Sequence, residues 1–195
     1  HWSEDERIAL DGIRLMVADI MAPAAAAHDR DGTFPKDNVK AINQMGLNAI
    51  FIPEAYGGMP MSYRFYIAVV KAIAEACAST GIIYATNFHA MKPVIDFGTE
   101  EQKERLLPRI AAGSLAALAI TEPGAGSDAT AMTTRFRGDG KTILIEGNKT
   151  FITNGDVADL ILVFGKWAGI DDPKKAISAV VFEKGTPGFE VLRLE

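Results

Sequence analysis

The chain has 195 residues, 48% of them hydrophobic and 23% charged, so a packed core in one large domain or two small ones is expected. A net charge of −5 with no block of Lys or Arg argues against nucleic acid or an anionic membrane surface as a partner. No apolar run is long enough to span a bilayer, no signal peptide is legible, and no His/Cys spacing fits a metal site.

The first half reads as helices. "SEDERIALDGIRLMVADI" opens with Ser3 and Glu6 at capping-box spacing and places Ile13, Met16, Val17 and Ile20 on one face, with Pro23 as the stop. Pro35 starts a second helix whose Val39 and Ile42 share a face, and Gly46 ends it. "FIPEAYGGMP" is a loop in which Glu54 and Tyr56 read as architectural. "SYRFYIAVVKAIAEACA" is apolar almost all round, which predicts a helix buried in a bundle, with the lone Cys77 as packing in a reducing compartment. A further helix through "IIYATNFHAMKPVIDF" is kinked at Pro93 and carries His89 as a core histidine; His28 and Asp29 mark an earlier helix end. "TEEQKERLLPRIAAG" has a second capping box, Thr99 with Gln102, and ends at Gly113.

After Ser114 the period changes to that of strands. "LAALAIT" is short and apolar, and Asp139-Gly140 is a hairpin signal between alternating segments. "ADLILVFGKW", "KAISAVVFEK" and "FEVLRLE" add three strand-like runs. Helices first and strands second indicate two layers or two domains of an α+β protein, not the alternating pattern of a parallel α/β sheet. A start without Met and an end in mid-strand give the expectation of a piece of a longer protein.

"TEPGAGSD" is the stretch that asks for a ligand. Gly124, Gly126 and Ala129 fit G-x-G-x-x-A, with Glu146 about 20 residues on, as in a Rossmann dinucleotide site. That motif needs a helix directly after the glycines, and here a hairpin follows, so Rossmann-type nicotinamide binding is rejected. A glycine-rich turn still offers a backbone anion nest, to which Ser127 adds a hydroxyl; the plain alternative is a turn closed by Ser127 and Asp128.

"LAITEPGAGSD" followed by "NKTFITNG", with "FIPEAYGG" and "FGTEEQKERLLPRIAAGS" upstream, resembles the acyl-CoA dehydrogenase family in four motifs taken in order. The resemblance implies an α+β protein with an N-terminal all-α domain over 1–114, a mainly antiparallel, barrel-like middle β-domain over 115–195 that is incomplete at its end, and a C-terminal helical bundle absent from this chain. It implies FAD as cofactor and an acyl-CoA thioester as substrate, desaturated between its α and β carbons. Leu118, Ile120 and Thr121 would lie along the isoalloxazine, and Gly126 and Ser127 would approach the pyrophosphate, Ser127 also meeting the CoA side of the substrate. Phe151 and Ile152 would wall the ring and Thr153 would donate toward N5; Phe151 departs from the Trp found in many members. The family's catalytic glutamate lies on the absent domain, so none of the 25 acidic residues is taken as the base, and this chain alone is expected to be inactive. The resemblance further implies an electron-transfer flavoprotein as electron acceptor, a homotetramer, and a bacterial cytoplasmic or mitochondrial matrix location, the former preferred. An oxidase or flavin monooxygenase of the same fold, and a non-catalytic binding module, are the alternatives.

Overall fold

The computed structural model describes residues 2–192, and the chain forms two compact units, 1–114 and 115–195. In the first, α1 (Glu4–Met16) begins with a complete capping box: the Ser3 hydroxyl accepts the Glu6 N–H at 3.1 Å, and the Glu6 carboxylate accepts the Ser3 N–H at 2.9 Å. The expected face breaks at Ile20, which is 40% exposed while Met21 is fully buried. The cause is a π turn, Val17–Met21, which inserts one residue per turn and rotates the side chains that follow. Nor does Pro23 stop the helix. It falls in the first turn of α2 (Ala22–Asp31), where a missing N–H costs least, and Gly32 at φ 61° ends the run instead.

Helix α3 (Lys36–Gln44) leads through two 3₁₀ turns, Leu47–Phe51 and Glu54–Tyr56, to α4 (Tyr63–Ala76), capped by Ser62. Helix α4 buries one face, Phe65, Tyr66, Val69 and Ile73, rather than its whole circumference; Tyr63 and Ile67 are 60% and 53% exposed. Cys77 is buried in the extended link between α4 and α5 (Ala78–Phe97), where its Sγ accepts the Thr80 hydroxyl at 3.1 Å. Helix α5 runs on through Pro93, and α6 (Glu100–Ala111) starts with the second capping box, Thr99 with Gln102. His89 is exposed rather than in the core, edge-on to Phe88. Tyr56 donates to Glu100 at 2.6 Å and so ties its loop to the start of α6. A ladder of side-chain amides also crosses this unit. Asn87 donates to Asn48 at 3.0 Å, Asn48 to Asn43 at 2.8 Å, and Asn43 to the Gly113 carbonyl at 3.1 Å, each amide meeting the partner that burial demands.

The second unit is a five-stranded sheet: β1 (Ala116–Ala119), β2 (Arg135–Gly138), β3 (Ile143–Glu146), β4 (Leu160–Trp167) and β5 (Ile177–Glu183), with one helical turn, α7 (Pro173–Ala176), before β5. The sheet is mixed, not mainly antiparallel. One edge of β4 pairs with β5 antiparallel, while the other takes β1 along its first half and β2 at its end, both parallel. The β2–β3 hairpin is tight, closed by Asp139, whose carboxylate accepts the Lys141 and Thr142 N–H groups, and by Gly140 at φ 88°; β4 and β5 form a second antiparallel hairpin through the longer connection that carries α7. Parallel neighbours need a long crossover, and residues 120–159 between β1 and β4 supply it; both motifs of interest lie inside that crossover. Phe136, fully buried and edge-on to Trp167, centres the core with Ala117, Ile161 and Val163. Of "FEVLRLE", Phe189–Leu192 form no strand and residues 193–195 lie outside the described residues. Among the described residues the sheet is open, with β5 along one edge and β1 and β3 along the other.

Candidate functional site

The crossover brings "LAITEPGAGSD" and "NKTFITNG" side by side. The Thr150 N–H donates to the Thr121 carbonyl at 3.0 Å, and the Lys149 ammonium donates to the Ile120 carbonyl at 2.8 Å. Two segments nearly thirty residues apart thus share one short stretch of backbone at the carboxyl end of β1.

Glu122 holds them there. It is 4% exposed, and its carboxylate accepts five hydrogen bonds. Thr133 supplies its N–H at 2.6 Å and its hydroxyl at 2.7 Å; Thr134 supplies its N–H at 2.9 Å and its hydroxyl at 2.5 Å. Lys149, its own side chain 10% exposed, completes the set at 2.8 Å. Burial alone would raise the pKa of this carboxyl. The bonds from Lys149, Thr134 and Thr133 outweigh it and hold the group well below the usual carboxylate range. Gly147 makes room for the clamp, since a Cβ there would sit 2.3 Å from the Thr134 hydroxyl oxygen. Glu122, Lys149, Thr133 and Thr134 are absent from the sequence-based site. The available signal was an acid inside a small-residue turn, with a lysine at the second position of the second motif.

Around the clamp the expected site residues fall in two groups. Leu118 on β1, and Ile120 and Thr121 just past it, are half-buried, as are Ile152 and Thr153. Gly126 and Ser127 are exposed; among the described residues nothing takes up their N–H groups, and a Cβ on Gly124 or Gly126 would meet nothing within 4 Å. The Thr121 and Thr153 hydroxyls, on half-buried residues, make no hydrogen bond among the described residues. Phe151 is the least ordinary of the set. It is 72% exposed and sits at φ 56°, in the left-handed region that a bulky side chain rarely adopts. Three residues on, Asn154 also has positive φ (65°) and anchors the turn by donating to the Ala116 carbonyl at 3.1 Å. A single 3₁₀ turn, Ala129–Ala131, follows the glycines before β2 starts, so no helix N-terminus faces them. Among the described residues no cluster of His, Cys, Asp or Glu could hold a metal, and no helix is long and apolar enough to cross a membrane.

The chain is thus a helical unit followed by a unit whose crossover carries exposed backbone amides and an exposed aromatic. The chain belongs to the acyl-CoA dehydrogenase family: residues 3–114 match its N-terminal domain and residues 117–195 its middle domain. It is 40% identical over 190 residues to cyclohex-1-ene-1-carbonyl-CoA dehydrogenase from Geobacter metallireducens, covering 96% of this chain and 50% of that protein. Among solved structures it resembles a chain from the electron transferring flavoprotein study of Acidaminococcus fermentans, with TM-score 0.92 and 34% identity over 100% of this chain and 52% of that one. It also resembles a glutaryl-CoA dehydrogenase from Mycobacterium smegmatis in complex with FADH2, with TM-score 0.84 and 26% identity over 97% of this chain and 48% of that one. The chain thus spans about half the length of the relatives it matches.

Proposed function

We propose that this chain supplies much of the flavin-binding surface of an FAD-dependent acyl-CoA dehydrogenase. The observation that carries the proposal is the joining of the two motifs by Thr121–Thr150 and by the Glu122–Lys149 clamp, with unpaired donors on the exposed side. The residues present fit FAD. The open Gly126 and Ser127 amides are suited to an anion such as a pyrophosphate, and the family resemblance supports a place for Ser127 on the CoA side of the substrate. Leu118, Ile120 and Ile152 give an apolar floor, the exposed Phe151 ring a face to stack on, and the Thr121 and Thr153 hydroxyls two donors for ring heteroatoms. FAD, when bound, supplies the electron sink for the β hydride that leaves as the α proton is removed. This chain's residues orient the thioester against the bound ring.

Glu122 is not the base that takes the α proton. Its oxygens are filled with donors and its lowered pKa makes it a poor proton acceptor. We assign no base within the chain. The likeness to a chain from an electron transferring flavoprotein study supports such a flavoprotein as electron acceptor. The family resemblance supports a homotetramer, and bacterial relatives support a cytoplasmic location.

Titration of the apoprotein with FAD, followed by flavin fluorescence, tests the reading. Phe151→Ala and Ser127→Ala each weaken binding by about tenfold, the size of one lost stacking or charge-assisted contact. Wild-type affinity in both variants rules this surface out as the flavin site.

A further inference from the structure

The second motif hangs from β1 at two places, and the three residues it offers to the flavin lie between them. At one, the Lys149 ammonium donates to the Ile120 carbonyl at 2.8 Å and the Thr150 N–H to the Thr121 carbonyl at 3.0 Å. At the other, the Asn154 side-chain amide donates to the Ala116 carbonyl at 3.1 Å. Phe151, Ile152 and Thr153 are the stretch in between. What they hang from is firm: Ala116 and Ala117 are fully buried, and β1 is in register with Leu160–Val163 of β4 along its whole length. Phe151 at φ 56° fits this arrangement, because a bulky residue stays in the left-handed region only where its surroundings fix the backbone.

Of these anchors only Lys149 carries a charge. Its side chain is 10% exposed, and its ammonium lies between the Ile120 carbonyl and the Glu122 carboxylate, 2.8 Å from each. The other four bonds to that carboxylate come from Thr133 and Thr134, just ahead of β2, so Glu122 is seated there without Lys149. The side-chain bond to Ile120 has no such substitute, and as a charge-assisted bond it is among the stronger kind. We propose that Lys149 is a positioning residue for FAD: it bonds to Ile120 and Glu122 rather than to the cofactor, and so keeps Phe151–Thr153 against the end of β1 as the flavin requires. This rests on the flavin reading above. Without Lys149 the competent arrangement is one of several, and apparent affinity falls in proportion to its population.

The test is FAD titration of the full-length apoprotein, followed by flavin fluorescence well below every variant's unfolding midpoint, with urea unfolding of the same variants alongside. Lys149→Met weakens FAD binding about tenfold, the result of a competent arrangement reduced to about one molecule in ten. At saturating FAD its bound-flavin absorption spectrum matches wild type, because no contact to the flavin has gone. The double variant Glu122→Gln, Lys149→Met is more stable than Glu122→Gln alone but binds FAD no more tightly than Lys149→Met. It carries the test if Lys149→Met does not fold. Val180→Ala, on β5 with β4 between it and β1, lowers stability and leaves FAD affinity within about twofold of wild type. Wild-type affinity in Lys149→Met, recovered affinity in the double variant, an altered spectrum at saturation, and an equal loss in Val180→Ala would each overturn the proposal. Wild-type protein that binds no FAD brings down the flavin reading and this inference with it; wild-type protein that binds FAD no better than Lys149→Met brings down this inference alone.

Discussion

Glu122→Gln isolates the clamp, because it keeps the side chain's volume and removes its charge. In the native unit the carboxylate accepts two backbone amides, two hydroxyls and one ammonium, all nearly out of water. The amide keeps one accepting oxygen, turns an NH2 toward groups that are themselves donors, and leaves Lys149 buried without a counter-charge. Removing one partner of a buried pair costs roughly 3–5 kcal/mol, and the retained oxygen puts this change near the lower figure. For a unit of this size each kcal/mol moves the midpoint by about 4–8 °C, so a loss of at least about 12 °C is expected. Urea and thermal unfolding followed by Trp167 fluorescence, in a Trp2→Phe background, reads this unit alone. Adding Lys149→Met to Glu122→Gln recovers part of the loss, because the orphaned cation goes too. A loss below about 1 kcal/mol for Glu122→Gln, the worth of an exposed pair, refutes the reasoning.

Three further outcomes follow from the same region. The Glu122 pKa is lowered on folding, so its contribution is complete above the unfolded carboxyl value of about 4.3 and is lost as pH falls below it. Wild-type urea midpoints therefore drop more steeply than those of Glu122→Gln as pH is lowered through that window, and parallel curves contradict the clamp. Gly147→Ala drives a methyl against the Thr134 hydroxyl and costs about 1–3 kcal/mol by urea unfolding; an unchanged midpoint means Thr134 moves away freely. Phe151→Gly relieves the left-handed backbone without uncovering a core, so stability holds or rises by up to about 1 kcal/mol while FAD affinity falls. A large loss of stability would show instead that Phe151 is a packing residue.

What the sequence made legible was chemistry written locally. Both capping boxes lie within four residues of chain, and each forms as its spacing requires. Asp139-Gly140 closes the tight β2–β3 hairpin, and the change from helical to alternating period after Ser114 matches the change from helices to strands. Features set by distant partners were not legible. The parallel pairing of β1 and β2 with β4 depends on a crossover that could equally have closed as hairpins. Pro23 reads as a stop only if the helix before it stays α-helical, and a π turn has no spacing signature to warn otherwise. Glu122 was visible as an acid in a turn, but its partners stand 11 to 27 residues away, and only folding shows that its charge is spent on structure.

The most direct measurement is the absorption spectrum of the purified full-length protein, recorded without oxygen before and after addition of a panel of acyl-CoA thioesters. The account predicts bound FAD whose visible absorbance bleaches with one class of thioester. Protein that is colourless and cannot be reconstituted with FAD would contradict it, leaving Thr121–Asp128 as a turn braced by Glu122 and nothing more.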